Sequence, residues 1–225
     1  MLAFYFLLAA IGGYLLGSIP FGLVLTRAAG LGDIRAIGSG NIGATNVLRT
    51  GRKDVALATL LLDAGKAAIA LLLARWIAGA AGVEDEIQTQ LGLTAGAFAF
   101  LGHCFPVWLN FKGGKGVATF FGVLLAGIWP LGVAAGLVWL GVFALFRISS
   151  LAALCAAAIA PIFALIAQFT WPEIAFTVVI GALIFWRHSA NIERLLAGQE
   201  PRVGAKKQEV APEPTAAPEP PASAE

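Results

Sequence analysis

Hydrophobic residues in this chain fall in long unbroken runs instead of the alternation of strands or the stripes of surface helices. The runs cover residues 2–26, 55–79, 91–109, 117–146, 151–167 and 174–186. About 20 mainly apolar residues cross a hydrocarbon core of about 30 Å, so the pattern predicts membrane-spanning helices. The first run has no Lys or Arg before Arg27; it lacks the basic opening of a secretory signal and reads as a retained span. The fourth is too long for one ordinary span at about 1.5 Å per residue. Trp129-Pro130 sits inside it, a helix breaker beside a ring that favours the membrane interface. That run is either one kinked helix or two short ones.

Positive charge separates those possibilities, because short cytoplasmic loops carry the excess of Lys and Arg. The loop after the first run holds Arg27, Arg35, Arg49, Arg52 and Lys53, whereas the next holds Glu84, Asp85 and Glu86 and no cation. Placing the first inside and the second outside puts Lys112 and Lys115 inside. A break at Pro130 then puts Arg147 inside, Trp171-Pro172-Glu173 outside, and the final cluster Arg187, Arg194, Arg202, Lys206 and Lys207 inside. An unsplit helix would expel that last cluster. The expectation is an all-α integral membrane protein of seven transmembrane segments, amino terminus outside and carboxyl terminus cytoplasmic, with segments four and five short around Trp129-Pro130. An even number of spans is the competing topology. After Leu196 the chain turns to Pro, Ala and Glu, so residues 201–225 are expected to form a disordered cytoplasmic tail. There is no internal repeat of the kind that marks many transporters.

Composition agrees with a membrane protein: of 225 residues, 59% are hydrophobic and 12% charged, against about 45–50% and about 25% in soluble domains. A net charge of +2 provides no bulk field for a nucleic-acid partner. Cys104 and Cys155 lie in apolar stretches without metal-ligand spacing, so no disulfide framework, zinc site or other metal is expected.

Three stretches carry chemistry. In GSGNIGATNVLR (residues 38–49), GSGNIG satisfies the dinucleotide pattern GxGxxG but follows a membrane span instead of a β-strand, which removes that reading. Glycines still let backbone N–H groups approach an anion, with Ser39 as a donor and Arg49 as a bidentate fork. A tight interfacial turn with topology-setting arginines explains the same residues. FKGGKG (residues 111–116) is no Walker A loop, yet two lysines among glycines at a helix start make a second candidate anion cradle. A positive-inside turn is again the plainer account, and two such loops on one face of the membrane weaken it. His103 and Cys104 are adjacent, about 100° apart on a helix, so they form no nucleophile pair, and His103 reads as a packing or helix-end histidine. In RHSANIERLLAGQE (residues 187–200), His188 and Asn191 at i, i+3 share a helix face and can hold and orient substrate. The same segment reads as an interfacial helix with Ile192, Leu195 and Leu196 against lipid. Asp63 and Lys66, at i, i+3 in the second run, are expensive in a membrane and should pair, as a structural ion pair or as part of a transport path.

Taken together, the three stretches resemble the bacterial acyl-phosphate:glycerol-3-phosphate acyltransferase (PlsY) family from the first span to about Glu200. In its second span the family tends to carry Asp-x-x-Lys-Gly, where this chain has Asp63-Ala64-Gly65-Lys66-Ala67. The resemblance implies a membrane acyltransferase domain over residues 1–200 in the bacterial cytoplasmic membrane, with its site facing the cytoplasm. It implies transfer of a fatty acyl group from acyl phosphate to glycerol 3-phosphate, giving lysophosphatidate and phosphate, with no cofactor and no obligate protein partner. It places Ser39, Arg49, His188 and Asn191 in catalysis. Phosphate binding falls to Gly38, Gly40, Asn41, Gly43, Lys112, Gly113, Gly114, Lys115 and Gly116, and Glu200 is structural, beside the Asp63–Lys66 pair. His188 is either a general base or a holder of the glycerol phosphate while a substrate phosphate oxygen takes the proton. No carboxylate in the motifs partners it, which favours the second. A covalent acyl-Ser39 intermediate is the competing mechanism. The competing function is a small anion or organophosphate transporter, against which stands the position of the motifs at one membrane edge instead of the midplane.

Overall fold

The computed structural model describes residues 1–204, and all of their regular structure is helical. Ten α-helices follow in order: α1 Leu2–Gly17, α2 Phe21–Ala28, α3 Ala44–Val47, α4 Lys53–Ala80, α5 Asp85–Cys104, α6 Val117–Gly127, α7 Trp129–Phe146, α8 Ser149–Ile166, α9 Trp171–Arg187 and α10 Ser189–Leu196. Five segments are long and apolar enough to cross a membrane: α1 with α2, α4, α5, α7 and α8. The bent pair α9–α10 makes a sixth, and α6 is a shorter apolar helix of 11 residues.

Local chemistry explains where the helices depart from the hydrophobic runs. The first run is broken at Ser18-Ile19-Pro20, because proline removes an N–H and restricts the residue before it. The Ile19 carbonyl accepts from Phe21 N–H at 3.1 Å and from Lys66 Nζ at 2.7 Å. The third span begins at Asp85 instead of residue 91, since Asp85 and Glu86 in the first turn suit the positive end of the helix dipole. It stops at Cys104, two residues before Pro106. A break does fall at Trp129-Pro130: Ile128 leaves helical geometry (φ −140°, ψ 61°) and the pair opens α7. Thr170 and Glu173 form a capping box that starts α9 earlier than the apolar run. Of the segment 201–225, only residues 201–204 are described, and Val203 N–H donates to the Arg147 carbonyl at 2.8 Å; the expectation of disorder for the rest lies outside the described residues.

The bundle is organised around α5, which packs against α1, α4, α6 and α9. Its core joins Ala99, Phe100, Phe120, Val123, Leu124, Ala156, Ala160, Ile180 and Ile184, while Leu61, Leu145 and Ile166 stand exposed, as lipid-facing residues do. A second small core of Leu23, Ile34, Ile42, Val47, Val55 and Ala56 underlies the loop between α2 and α4. Helices α1 and α5 meet backbone to backbone: a Cβ on Gly13 would lie 2.2 Å from the Ala95 carbonyl oxygen, and one on Gly17 2.1 Å from that of Ala99. Close approach through small residues is how helices associate where no water drives them together. Replacing Gly17 with leucine should cost about 1–3 kcal/mol through overpacking, read as a lower thermal midpoint in detergent; an unchanged midpoint would mean the helices separate without loss.

Candidate active site

The first glycine-rich stretch is a folded loop held by one amide. Asn46, buried, donates from Nδ2 to the Ile34 carbonyl at 2.8 Å and the Ile37 carbonyl at 3.1 Å, and its Oδ1 accepts from Ser39 N–H at 3.3 Å. Gly38 takes a left-handed φ of +56°, and a Cβ there would overlap the Arg49 guanidinium and the Asn46 amide. Arg49 therefore lies across Gly38. Ser39 is exposed, and neither Ser39 Oγ nor the Asn41 side chain is hydrogen-bonded among the described residues. Gly40 and Gly43 complete the turn into α3.

The second stretch folds back on the end of α5. Gly113 N–H donates to the Cys104 carbonyl at 3.1 Å and Gly114 N–H to the His103 carbonyl at 3.0 Å. From the other side Arg187 donates from Nε to the Gly114 carbonyl at 3.1 Å and from Nη2 to the Gly113 carbonyl at 3.0 Å. Gly116 turns the chain into α6 with φ +81°, its Cα against the Phe100 ring. Trp108 Nε1 donates to the Ser18 carbonyl and Tyr14 Oη to the Phe105 carbonyl, tying the loop to α1. Lys112 is exposed and makes no side-chain hydrogen bond or ion pair among the described residues, so the structure does not join it to Lys115.

The third stretch corrects one expectation. His188 and Asn191 do not lie on a continuous helix: the chain bends by 63° at His188, which ends α9 and begins α10. The His188 ring bonds back through Nδ1 to the Ile184 carbonyl at 2.8 Å, which also keeps the backbone bond from the His188 N–H at 3.0 Å. A carbonyl accepts only, so Nδ1 carries the proton and Nε2 keeps its lone pair. The first turn of α10 then brings Asn191 N–H to the His188 carbonyl at 2.8 Å. Asn191 Oδ1 accepts from Lys115 Nζ, and its Nδ2 donates to Glu200 Oε1. Glu200, its side chain 7% exposed, also accepts from Ser150 Oγ at 2.7 Å and from Arg194 Nε at 2.7 Å.

Burial sets the protonation of these groups. It pushes Lys115 down from 10.5 to about 8; Glu200 opposes the shift, while Arg194, Arg187 and Arg49 add to it. Burial likewise lowers His188 to about 4, against the Ile184 hydrogen bond and with the help of Lys115 and Arg187, so its imidazole is neutral near pH 7. Burial alone would raise Glu200, but the bonds from Ser150, Asn191 and Arg194 outweigh it and hold the carboxyl below its usual value. Arg194 pairs with Glu200, and Arg194, Arg187 and Arg49 all lie near enough to Lys115 to depress it, so cations outnumber the one carboxylate of the site, which suits anionic ligands.

The family described as glycerol-3-phosphate acyltransferase matches the chain over residues 7–198. The chain belongs to that family. Glycerol-3-phosphate acyltransferase of Maricaulis maris is 62% identical over 206 residues, covering 90% of this chain and 89% of that relative. The protein of that name from Rhodospirillum rubrum is 62% identical over 200 residues, covering 88% and 91%. A crystal structure of PlsY, an integral membrane glycerol 3-phosphate acyltransferase, in its glycerol 3-phosphate form superposes with a TM-score of 0.79 at 41% identity, covering 88% of this chain and 96% of that one. Its lysophosphatidic acid form gives 0.76. Like that integral membrane acyltransferase, this one is a helical multi-pass membrane protein.

In this member of the acyltransferase family, sequence reading passed over Ser150, Asn46 and the grip of Arg187. The paired Ser149-Ser150 after Arg147 looks like an ordinary helix start, and Arg187 was explained by topology alone. Lys115, with its folded value below its ordinary one, is charged below about pH 8 and loses its charge as pH rises through that value. Amine labelling of Lys115 read by mass spectrometry should have its midpoint near 8 instead of 10.5. Glu200→Gln should move it lower still.

Proposed function

We propose that this chain transfers a fatty acyl group from acyl phosphate to the 1-hydroxyl of glycerol 3-phosphate, releasing lysophosphatidate and inorganic phosphate in the first acylation of phospholipid synthesis. The observation that carries the reading is Lys115, tied through Asn191 to Glu200 and close to Arg49, Arg187 and Arg194, beside a neutral His188. Glycerol 3-phosphate and lysophosphatidic acid, the molecules of the two PlsY crystal forms, are the acceptor and the product of this reaction. Family membership displaces the transporter reading.

In the proposed mechanism Lys115, Arg49 and the N–H group of Gly116 hold phosphate, while Gly113 and Gly114, whose N–H groups are bonded to the Cys104 and His103 carbonyls, shape the turn that presents Lys115. Lys112, Gly38, Gly40, Asn41 and Gly43 complete the anion surface and Ser39 orients substrate. His188 Nε2 accepts the hydrogen bond of the glycerol 2-hydroxyl, leaving the 1-hydroxyl proton free to point at phosphate, and Asn191, fixed between Lys115 and Glu200, orients the acceptor. The hydroxyl oxygen attacks the acyl carbon, the carbon–oxygen bond to phosphate breaks, and the hydroxyl proton passes to a phosphate oxygen. His188 is neutral, its ring bonds through Nδ1 to the Ile184 carbonyl, and among the described residues no carboxylate is hydrogen-bonded to the ring to steady an imidazolium, which supports the substrate-assisted route over a histidine base. Acyl phosphate is already an activated anhydride, so positioning, up to about 7–11 kcal/mol in favourable cases, and stabilised charge supply the rest. The scheme uses no metal, cofactor or protein partner.

We read the helical segments as seven spans of a bacterial cytoplasmic membrane, amino terminus outside, site and carboxyl terminus inside, with residues 1–200 as the acyltransferase unit. The loop cations on the site side support this orientation. Cysteine-accessibility labelling of intact cells should reach a cysteine placed at Gly82 and miss one placed at Gly51; the reverse would invert the topology.

Purified protein given glycerol 3-phosphate should form lysophosphatidate and phosphate with acyl phosphate, and not with acyl-CoA or acyl carrier protein. Silence with every donor in a folded sample would sink the reading. His188→Ala and Asn191→Ala should each lower kcat/KM by about 10²-fold through lost positioning in protein that remains folded by circular dichroism. No acyl-protein should accumulate when glycerol 3-phosphate is withheld; trapped acyl-Ser39 would replace the direct transfer with a covalent one.

A further inference from the structure

The mechanism leaves one buried charged cluster unused. Asp63 and Lys66 lie one turn apart on α4 and His103 at the end of α5, all at most 4% exposed. Lys66 Nζ donates to Asp63 Oδ1 at 2.7 Å and to the Ile19 carbonyl at 2.7 Å, and lies 3.0 Å from His103 Nδ1. An ammonium has three donors and no lone pair. All three are used here, and the third requires the lone pair on Nδ1, which puts the ring N–H on Nε2.

The Nε2 edge of that ring lies under Gly114. A Cβ on Gly114 would be 2.0 Å from Nε2, 2.7 Å from Cε1 and 2.9 Å from Cδ2. The backbone of the same histidine accepts the Gly114 N–H, and the Arg187 guanidinium grips the Gly113 and Gly114 carbonyls. The turn is seated on His103 and held by Arg187, and the next residue is Lys115. Packing alone would be served by an apolar side chain; a buried ion pair is costly in a membrane, and here it fixes the orientation and tautomer of one ring.

We propose that His103, set by the buried Lys66–Asp63 pair, is a positioning residue: its imidazole is the floor on which the Gly113–Gly116 turn rests, and through that turn it aims Lys115 at the substrate phosphate. The inference rests on the reading of this turn as the glycerol 3-phosphate site.

Steady-state kinetics with glycerol 3-phosphate varied at saturating acyl phosphate test it. His103→Ala should raise KM by about tenfold while kcat stays within about threefold, the signature of lost binding geometry. Gly114→Ala should raise KM further, because its methyl collides with the ring. In His103→Ala/Gly114→Ala the methyl enters the vacated space, so kcat/KM should exceed that of Gly114→Ala by about fivefold, a coupling that independent sites do not show. Asp63→Asn/Lys66→Met, which frees the ring without leaving a lone charge, should reproduce the KM rise. His103→Gln should do so too if His103→Ala does not fold. A wild-type KM in His103→Ala, or a double variant no better than the product of the singles, would overturn the proposal. Wild-type protein without turnover would instead remove the functional reading beneath it.

Discussion

The site depends on one side-chain amide placed between opposite charges. Asn191 presents its oxygen to the Lys115 ammonium and its nitrogen to the Glu200 carboxylate. A direct contact between lysine and glutamate would set the carboxylate's negative charge where an anionic ligand must bind. The interposed amide transmits order from the carboxylate while leaving two of the three ammonium protons for an anion. The same contact joins parts of the chain 76 residues apart, and Ser150 and Arg194 extend the network to the start of α8 and to α10.

Below this network the glycine–lysine turn has little structure of its own. Its conformation is imposed from outside: by the carbonyl groups at the end of α5, by the guanidinium at the end of α9, and by the Phe100 ring under Gly116. With the N–H and carbonyl groups of Gly113 and Gly114 all bonded to neighbouring elements, those elements supply the rigidity that holds the following Lys115 in place. In a membrane bundle those neighbours are helix ends. That is why the candidate chemistry gathers where α5, α9 and α10 terminate and begin.

How much of this was legible in the sequence follows from the range of each interaction. The break at Trp129-Pro130 has a local cause and was visible. So did the break at Ile19-Pro20, but an unbroken apolar run concealed it. The start of α5 was misplaced because Asp85 and Glu86 resemble loop residues until the helix dipole is considered. Lys115, His188 and Asn191 stood out within short motifs. Ser150 did not, because its only signal is a partner 50 residues away, and Arg187 was hidden behind a sufficient explanation, one charge serving both orientation in the membrane and the folding of a loop. The helix face expected to carry His188 and Asn191 together is bent by 63° at His188, where α9 ends and α10 begins, a change of direction that no residue pattern in the motif announces.

Glu200 lies beyond the last helix, and the backbone just after it returns to the Arg147 carbonyl through Val203. The keystone of the site is thus among the last of the described residues to be synthesised. The acceptor that Asn191, Arg194 and Ser150 share therefore comes from a non-helical segment, and a chain ending just after α10 would keep every helix from α1 to α10 while lacking the carboxylate that gathers its site.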